Sequence, residues 1–116
     1  MTFTLTLQRT FVADHFHDLP GFIEARHGHN WEVAASVWLA SEAEEDRFSQ
    51  ALDAWVGQVD YRLLNDLAPL AGRNPTAEAL AQWALEHLRG RGLAAEAVRV
   101  REKVNYWALC RAGETA

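Results

Sequence analysis

Among the five histidines of this 116-residue chain, three stand where one metal ion could use them. His27 and His29 flank a single glycine and open a segment, Asn30 to Ala40, in which Trp31, Val33, Ala35, Val37 and Leu39 alternate with more polar residues. Residues i and i+2 of a strand project from the same face, so both imidazoles can converge on one ion. A histidine pair at a strand start is a weak signal alone, because exposed or hydrogen-bonded histidines are commoner than ligands. His15 strengthens it: it ends an earlier strand-like run that an antiparallel pairing sets beside His27 and His29. Three neutral imidazoles with an open position are the ligand set of catalytic zinc, whereas magnesium and calcium prefer oxygen. His17 is an alternative third ligand, and the strand-end position favours His15. His87, near the end of a helical stretch, reads as a helix-terminus cation or a partly buried packing residue.

The elements that must hold these side chains follow from periodicity. Thr2 to Phe11 has period two, with Phe3, Leu5 and Leu7 on one face, and a loop containing Asp18, Pro20 and Gly21 separates it from the Asn30 to Ala40 strand. The acidic run Glu42 to Asp46 suits the start of a helix, after which Phe48, Leu52, Trp55 and Val56 recur at helical spacing. A second helix opens at Asn74-Pro75-Thr76, with Thr76 as cap and Leu80, Trp83, Ala84 and Leu88 on one stripe, and Gly90 and Gly92 stop it. Ala97 to Glu102 and Tyr106 to Arg111 read as a hairpin. The order ββααββ predicts an α+β fold: a four-stranded antiparallel sheet with both helices on one face.

Length allows one domain over 1–116. Eleven basic against sixteen acidic side chains give a net charge of −5 with no basic stripe, which argues against a nucleic-acid partner. The lone cysteine, Cys110, precludes an intrachain disulfide and fits a reducing compartment; within a strand it reads as a buried, inert thiol. Met1 to Thr10 lacks the apolar run of a signal peptide, and no stretch is long and apolar enough to span a membrane, so a cytoplasmic protein is expected.

Four segments, in order along the chain, resemble the family of 6-pyruvoyl-tetrahydropterin synthases and 6-carboxytetrahydropterin synthases. Phe11-Val12-Ala13-Asp14-His15 matches its Phe-x-Ala-x-His, and His27-Gly28-His29-Asn30-Trp31 its His-Gly-His before an aromatic residue. Asn74-Pro75-Thr76-Ala77-Glu78-Ala79-Leu80-Ala81 is similar to the start of its second helix, and Val98 to Glu102 to the strand whose terminal glutamate anchors the pterin. The resemblance implies a T-fold whose sheets close into a barrel between protomers, as a homo-oligomer, commonly a hexamer. It implies zinc on His15, His27 and His29. Glu102 would accept two parallel hydrogen bonds from the pterin ring edge, a planar charge-assisted match.

The catalytic equipment departs from that pattern. A gap-free reading puts Ile23 where the family has its catalytic cysteine, and the Asp-His relay falls at Asp60-Tyr61, keeping Asp60 as a catalytic candidate beside a phenol whose ordinary pKa of about 10 makes it a poor base. Lys103 replaces the threonine after the anchoring glutamate. Glu24, one place after Ile23, offers another base, since a related branch uses a glutamate near this point to shorten the pterin side chain. Three functions are therefore expected: a pterin binder unable to run the usual synthase reaction; a zinc-dependent lyase releasing 6-hydroxymethyl-dihydropterin with Glu24 as base; or a non-catalytic binder of another purine-like ring.

Overall fold

A computed structural model describes residues 2–113. Two long strands, β1 (Phe3–Leu19) and β2 (Phe22–Leu39), form an antiparallel hairpin, followed by α1 (Glu45–Val59), a two-residue strand β3 (Arg62–Leu63), α2 (Ala77–Gly90), β4 (Ala94–Lys103) and β5 (Tyr106–Arg111). The sheet order is β3-β1-β2-β4-β5, and every pairing is antiparallel except β1 with β3.

The strand, helix and hairpin order expected from periodicity is present, with two corrections. The sheet has five strands and is mixed, because the chain leaving α1 runs briefly alongside β1. Tyr61, at φ 57°, turns it there; the Tyr61 N–H donates to the Val12 carbonyl at 2.6 Å and the Val12 N–H to Asp60 Oδ1 at 3.0 Å. Two residues are too few to show a period. The second correction is length: β1 and β2 run on past the histidines expected at their ends and leave only Pro20 and Gly21 between them, where a longer loop was expected. Gly21 takes φ 84°, a value a side chain would resist.

Alternation decides what each strand buries. Phe11 and Ala13 of β1, and Trp31, Val33, Ala35, Val37 and Leu39 of β2, face the helices. Against them pack Phe48, Leu52, Trp55 and Val59 of α1 and Leu80, Ala81, Ala84 and Leu88 of α2. Aromatic rings set the centre: Phe11 stacks on Trp31 at 5.8 Å between centroids and meets Trp55 edge-on at 5.6 Å, and Trp55 meets Trp83 edge-on at 5.6 Å. Such pairs add about 0.5–1.5 kcal/mol each beyond area burial. Thr76 caps α2 by accepting the Ala79 N–H at 3.1 Å, a contact worth about 1 kcal/mol. Among the described residues no helix is long and apolar enough to cross a membrane.

His87 resolves as a partly buried packing residue that bridges the helices, its Nε2 donating to the Ala51 carbonyl at 2.9 Å. Burial lowers its pKa, outweighing the opposing effect of that carbonyl. The folded protein therefore favours the neutral ring. Below the ordinary value of 6.5 the unfolded chain binds the proton more readily, so this contribution is intact above pH 6.5 and is lost as pH falls. His87→Gln keeps a donor for Ala51 and removes the titration. Thermal melts from pH 7.5 to pH 5 should show a smaller acid loss of Tm in the variant; equal losses would assign the acid sensitivity elsewhere.

Candidate metal centre

At the end of the helix-covered face the alternation that buries Phe11 and Ala13 next presents His15 and His17 from β1, and the one that buries Trp31 presents His29 and His27 from β2. His15 is fully buried and lies directly opposite His27 in the register. It meets Trp31 edge-on at 5.1 Å, so the histidine cluster is a continuation of the aromatic core. Gly28 between the two histidines faces Asp14 across the ladder. A Cβ there would come within 2.5 Å of Asp14 Oδ1, whose partner oxygen accepts from Arg26 Nε at 3.0 Å.

Hydrogen bonds fix which nitrogens face inward. The Nδ1–H of His15 donates to the Pro75 carbonyl at 2.8 Å, and that of His27 to the Ala25 carbonyl at 2.7 Å. A carbonyl only accepts, so in both neutral rings Nε2 carries the lone pair, and the two Nε2 atoms stand 3.0 Å apart. His29 Nε2 is buried in the same place without a hydrogen-bond partner among the described residues. Nitrogen lone pairs that converge in this way suit a cation between them, and carbonyls holding the outer nitrogens are the usual support for ligating histidines. His15, His27 and His29 offer ligand atoms all within 4.8 Å of one another, so the set expected for zinc fits. Burial lowers the pKa of His15 and of His29, against smaller opposing effects of Glu102 on both and of the Pro75 carbonyl on His15. The favoured neutral ring is the ligating form.

Two carboxylates share the cluster. Glu102, buried near the end of β4, brings Oε1 to 3.2 Å from His15 Nε2 and 3.8 Å from His29 Nε2. Glu24 brings Oε1 to 3.1 Å from His27 Nε2 and 3.4 Å from His17 Nδ1. Both line a pocket of about 180 Å³ with His17, His27, His29, Thr76, Lys103 and Tyr106. Glu102, His29 and Lys103 also border an open cleft of about 480 Å³ that continues to Glu32 and Arg101.

The geometry thus brings together His15, His27, His29, Glu24 and Glu102. Asp60 lies elsewhere, bonded to the Val12 amide and lining a separate hollow with Thr10, Asn30 and Tyr61. Ile23 is 79% exposed and Tyr61 83% exposed, neither on the histidine pocket of its own chain. Cys110 is half-buried where a buried thiol was expected, because it lies on an outer strand, and burial raises its pKa. Sequence reasoning passed over the joint presence of His17 and His15. Their i, i+2 spacing was the available signal.

A family model described as 6-pyruvoyl tetrahydropterin synthase matches residues 4–113. The 6-pyruvoyl tetrahydropterin synthase of Caenorhabditis elegans superposes with a TM-score of 0.80 at 15% identity, covering 97% of each chain. That of Plasmodium vivax gives 0.71 at 14% identity, covering 95% of this chain and 97% of the other. A P. vivax variant in which a catalytic glutamate is replaced by alanine gives 0.71 at 13% identity over the same shares. No curated protein sequence matches the chain. Both helices on one face of the sheet make this a T-fold, and the match across almost the whole length places the chain in the 6-pyruvoyl tetrahydropterin synthase family.

Proposed function

We propose that the protein is a zinc-dependent lyase that binds a dihydropterin and shortens its side chain, with Glu24 in place of the missing cysteine. The observation that carries this reading is the position of Glu24: its carboxylate lies 3.1 Å from His27 Nε2, on the same pocket as His29 and Glu102. A glutamate is also the catalytic residue named for the P. vivax relative.

Each residue has a distinct task. Glu102 anchors the pterin ring edge, accepting from a ring N–H and the exocyclic amine, and its burial strengthens that pairing. His15, His27 and His29 hold zinc, which when bound acts as a Lewis acid toward side-chain hydroxyls. Glu24 accepts the proton of the hydroxyl one carbon beyond the bond to be broken. That carbon–carbon bond then cleaves, its electron pair passes into the ring imine, and reprotonation of the carbon left on the ring gives the hydroxymethyl product and a two-carbon aldehyde. Tyr106, whose hydroxyl donates to Glu78 at 2.9 Å, closes one wall of the pocket.

A second reading, binding without turnover, is favoured by Ile23 and Tyr61 standing where the family has its cysteine and relay histidine. Asp60 then has no proton to relay within its own chain. A homo-oligomer, as a hexameric barrel, is the assembly expected in either case. Trp107 and Trp38 are at least half exposed on the sheet surface, and the two-residue β3 and the outer side of β5 leave edges to cover.

Three outcomes are expected. Light scattering at micromolar concentration should give a multimer, and a monomer would remove the barrel. With a pterin bound the protein should carry zinc, and the double variant His27→Ala/His29→Ala should lose it; unchanged metal content in the pterin-bound variant would refute the ligand assignment. Calorimetry and product detection with dihydroneopterin separate the two carboxylates. Glu102→Gln should weaken pterin binding by roughly 2–4 kcal/mol, since a charge-assisted pair is lost and an amide donor faces a donor. Glu24→Gln should keep pterin affinity and abolish turnover. Unaltered affinity in Glu102→Gln would end the pterin reading, whereas binding without turnover in the wild type would select the non-catalytic one.

A further inference from the structure

His15, His17 and Glu24 form a second group whose ligand atoms lie within 4.8 Å of one another. A single irregularity in the hairpin creates it. His15 pairs with His27 but His17 pairs with Glu24, so β2 carries one residue more than β1 between these rungs. Strict alternation would have set Ala25 opposite His17 and turned Glu24 to the other face. The bulge turns Glu24 onto the histidine face instead, a known use of bulges beside functional sites.

The spacing suits coordination. Ligand bonds of about 2.1 Å in a tetrahedral sphere put ligand atoms roughly 3.4 Å apart. Glu24 Oε1 stands 3.4 Å from His17 Nδ1 and 3.1 Å from His27 Nε2. The buried His17 ring packs edge-on against His15 at 4.9 Å. Two imidazoles and a carboxylate are themselves a zinc ligand set. His15 Nδ1 is committed to the Pro75 carbonyl, so its Nε2 is the one lone pair that both groups need, and one lone pair serves one ion. The two groups are therefore alternatives for a single ion, and do not make a two-metal site.

We propose that His17 and Glu24 form, with His15, a second ligand set for the same divalent ion, so that Glu24 is a metal ligand whenever the pocket holds no pterin. This rests on the metal centre proposed above and adds a condition to it: Glu24 leaves the metal before it accepts a proton, and the incoming side-chain hydroxyl takes its place. A glutamate acting as base alone, or a histidine acting as packing alone, would have no effect on how metal is held in the ligand-free protein.

The experiment uses the full chain, stripped of metal and free of pterin, as wild type, His17→Ala, His17→Gln and Glu24→Gln. Zinc is titrated against a chromophoric chelator, and cobalt(II) is added separately for its visible spectrum. Wild type should bind one ion per chain. His17→Ala and Glu24→Gln should each bind one ion at least about tenfold more weakly, with cobalt bands altered in position and intensity. Unchanged affinity and unchanged bands in both would overturn the second ligand set while leaving the three-histidine centre intact, and two ions per chain would overturn the shared His15. Wild type that binds no metal would remove the three-histidine centre and this proposal with it. Glu24 is nearly half exposed and its substitution should not disturb folding, so Glu24→Gln and His17→Gln decide the matter if His17→Ala does not fold.

Discussion

The pairing of β1 with β2 is the constraint on which the structure depends. A side-chain period of two means that one residue of slip would turn Phe11, Ala13 and His15 away from the helices together. The rungs Phe11 with Trp31 and His15 with His27 belong to one uninterrupted register, so the force that buries the aromatic rings also aims the imidazoles. Hydrophobic burial thus supplies the precision of the histidine cluster. The Phe11, Trp31 and Trp55 cluster holds the sheet against α1, and His15 packs on the same Trp31.

The start of α2 ties the other side of the site to this register. Pro75 cannot donate from its nitrogen, but its carbonyl accepts from His15; the next residue, Thr76, caps the helix. Asn74 Oδ1 accepts the Asp18 amide at 3.4 Å. Three consecutive residues therefore begin a helix, orient the His15 ring and brace β1 near its end. An imidazole buried without a partner costs about 1–3 kcal/mol, so the Pro75 carbonyl both stabilises the fold and selects the tautomer that leaves Nε2 free. Because burial lowers the pKa of His15 and His29, the same packing favours the form that binds a metal over the form that binds a proton.

Much of this was legible in the residues. Alternation along Thr2 to Phe11 and Asn30 to Ala40 gave the paired strands, Thr76 announced the second helix, and His15, His27 and His29 met as their parity required. What stayed hidden was geometry that local pattern does not encode. The bulge adds one residue opposite Phe16, and nothing in Glu24-Ala25-Arg26 marks it, so Glu24 has the wrong parity for the face it occupies. The continuation of both strands beyond the histidines was hidden because Asp18, Glu24 and Ala25 have low strand propensity, and there cross-strand pairing outweighs propensity. β3 depends on a left-handed tyrosine, Tyr61, and on Asp60 bonding a strand amide, neither of which spacing could reveal.

The charges around the cluster limit what it can receive. Three neutral imidazoles would add nothing to the two positive charges of a divalent ion, while Glu24 and Glu102, each about 3 Å from a candidate ligand nitrogen, would together cancel them, a unit pair at about 4 Å interacting by about 4 kcal/mol at an effective dielectric constant near 20. A centre neutral in this way has little attraction for an anionic ligand and suits a neutral one that brings hydrogen-bond donors to Glu102. If Glu102 were occupied by ring donors and Glu24 turned to a substrate hydroxyl, as proposed, His15, His27 and His29 would hold an ion whose charge the two carboxylates compensated less. On the proposed reading, carboxylates drawn toward a ligand would leave an ion held by the histidines freer to polarise a hydroxyl, and Lys103 on the same pocket would add positive charge there.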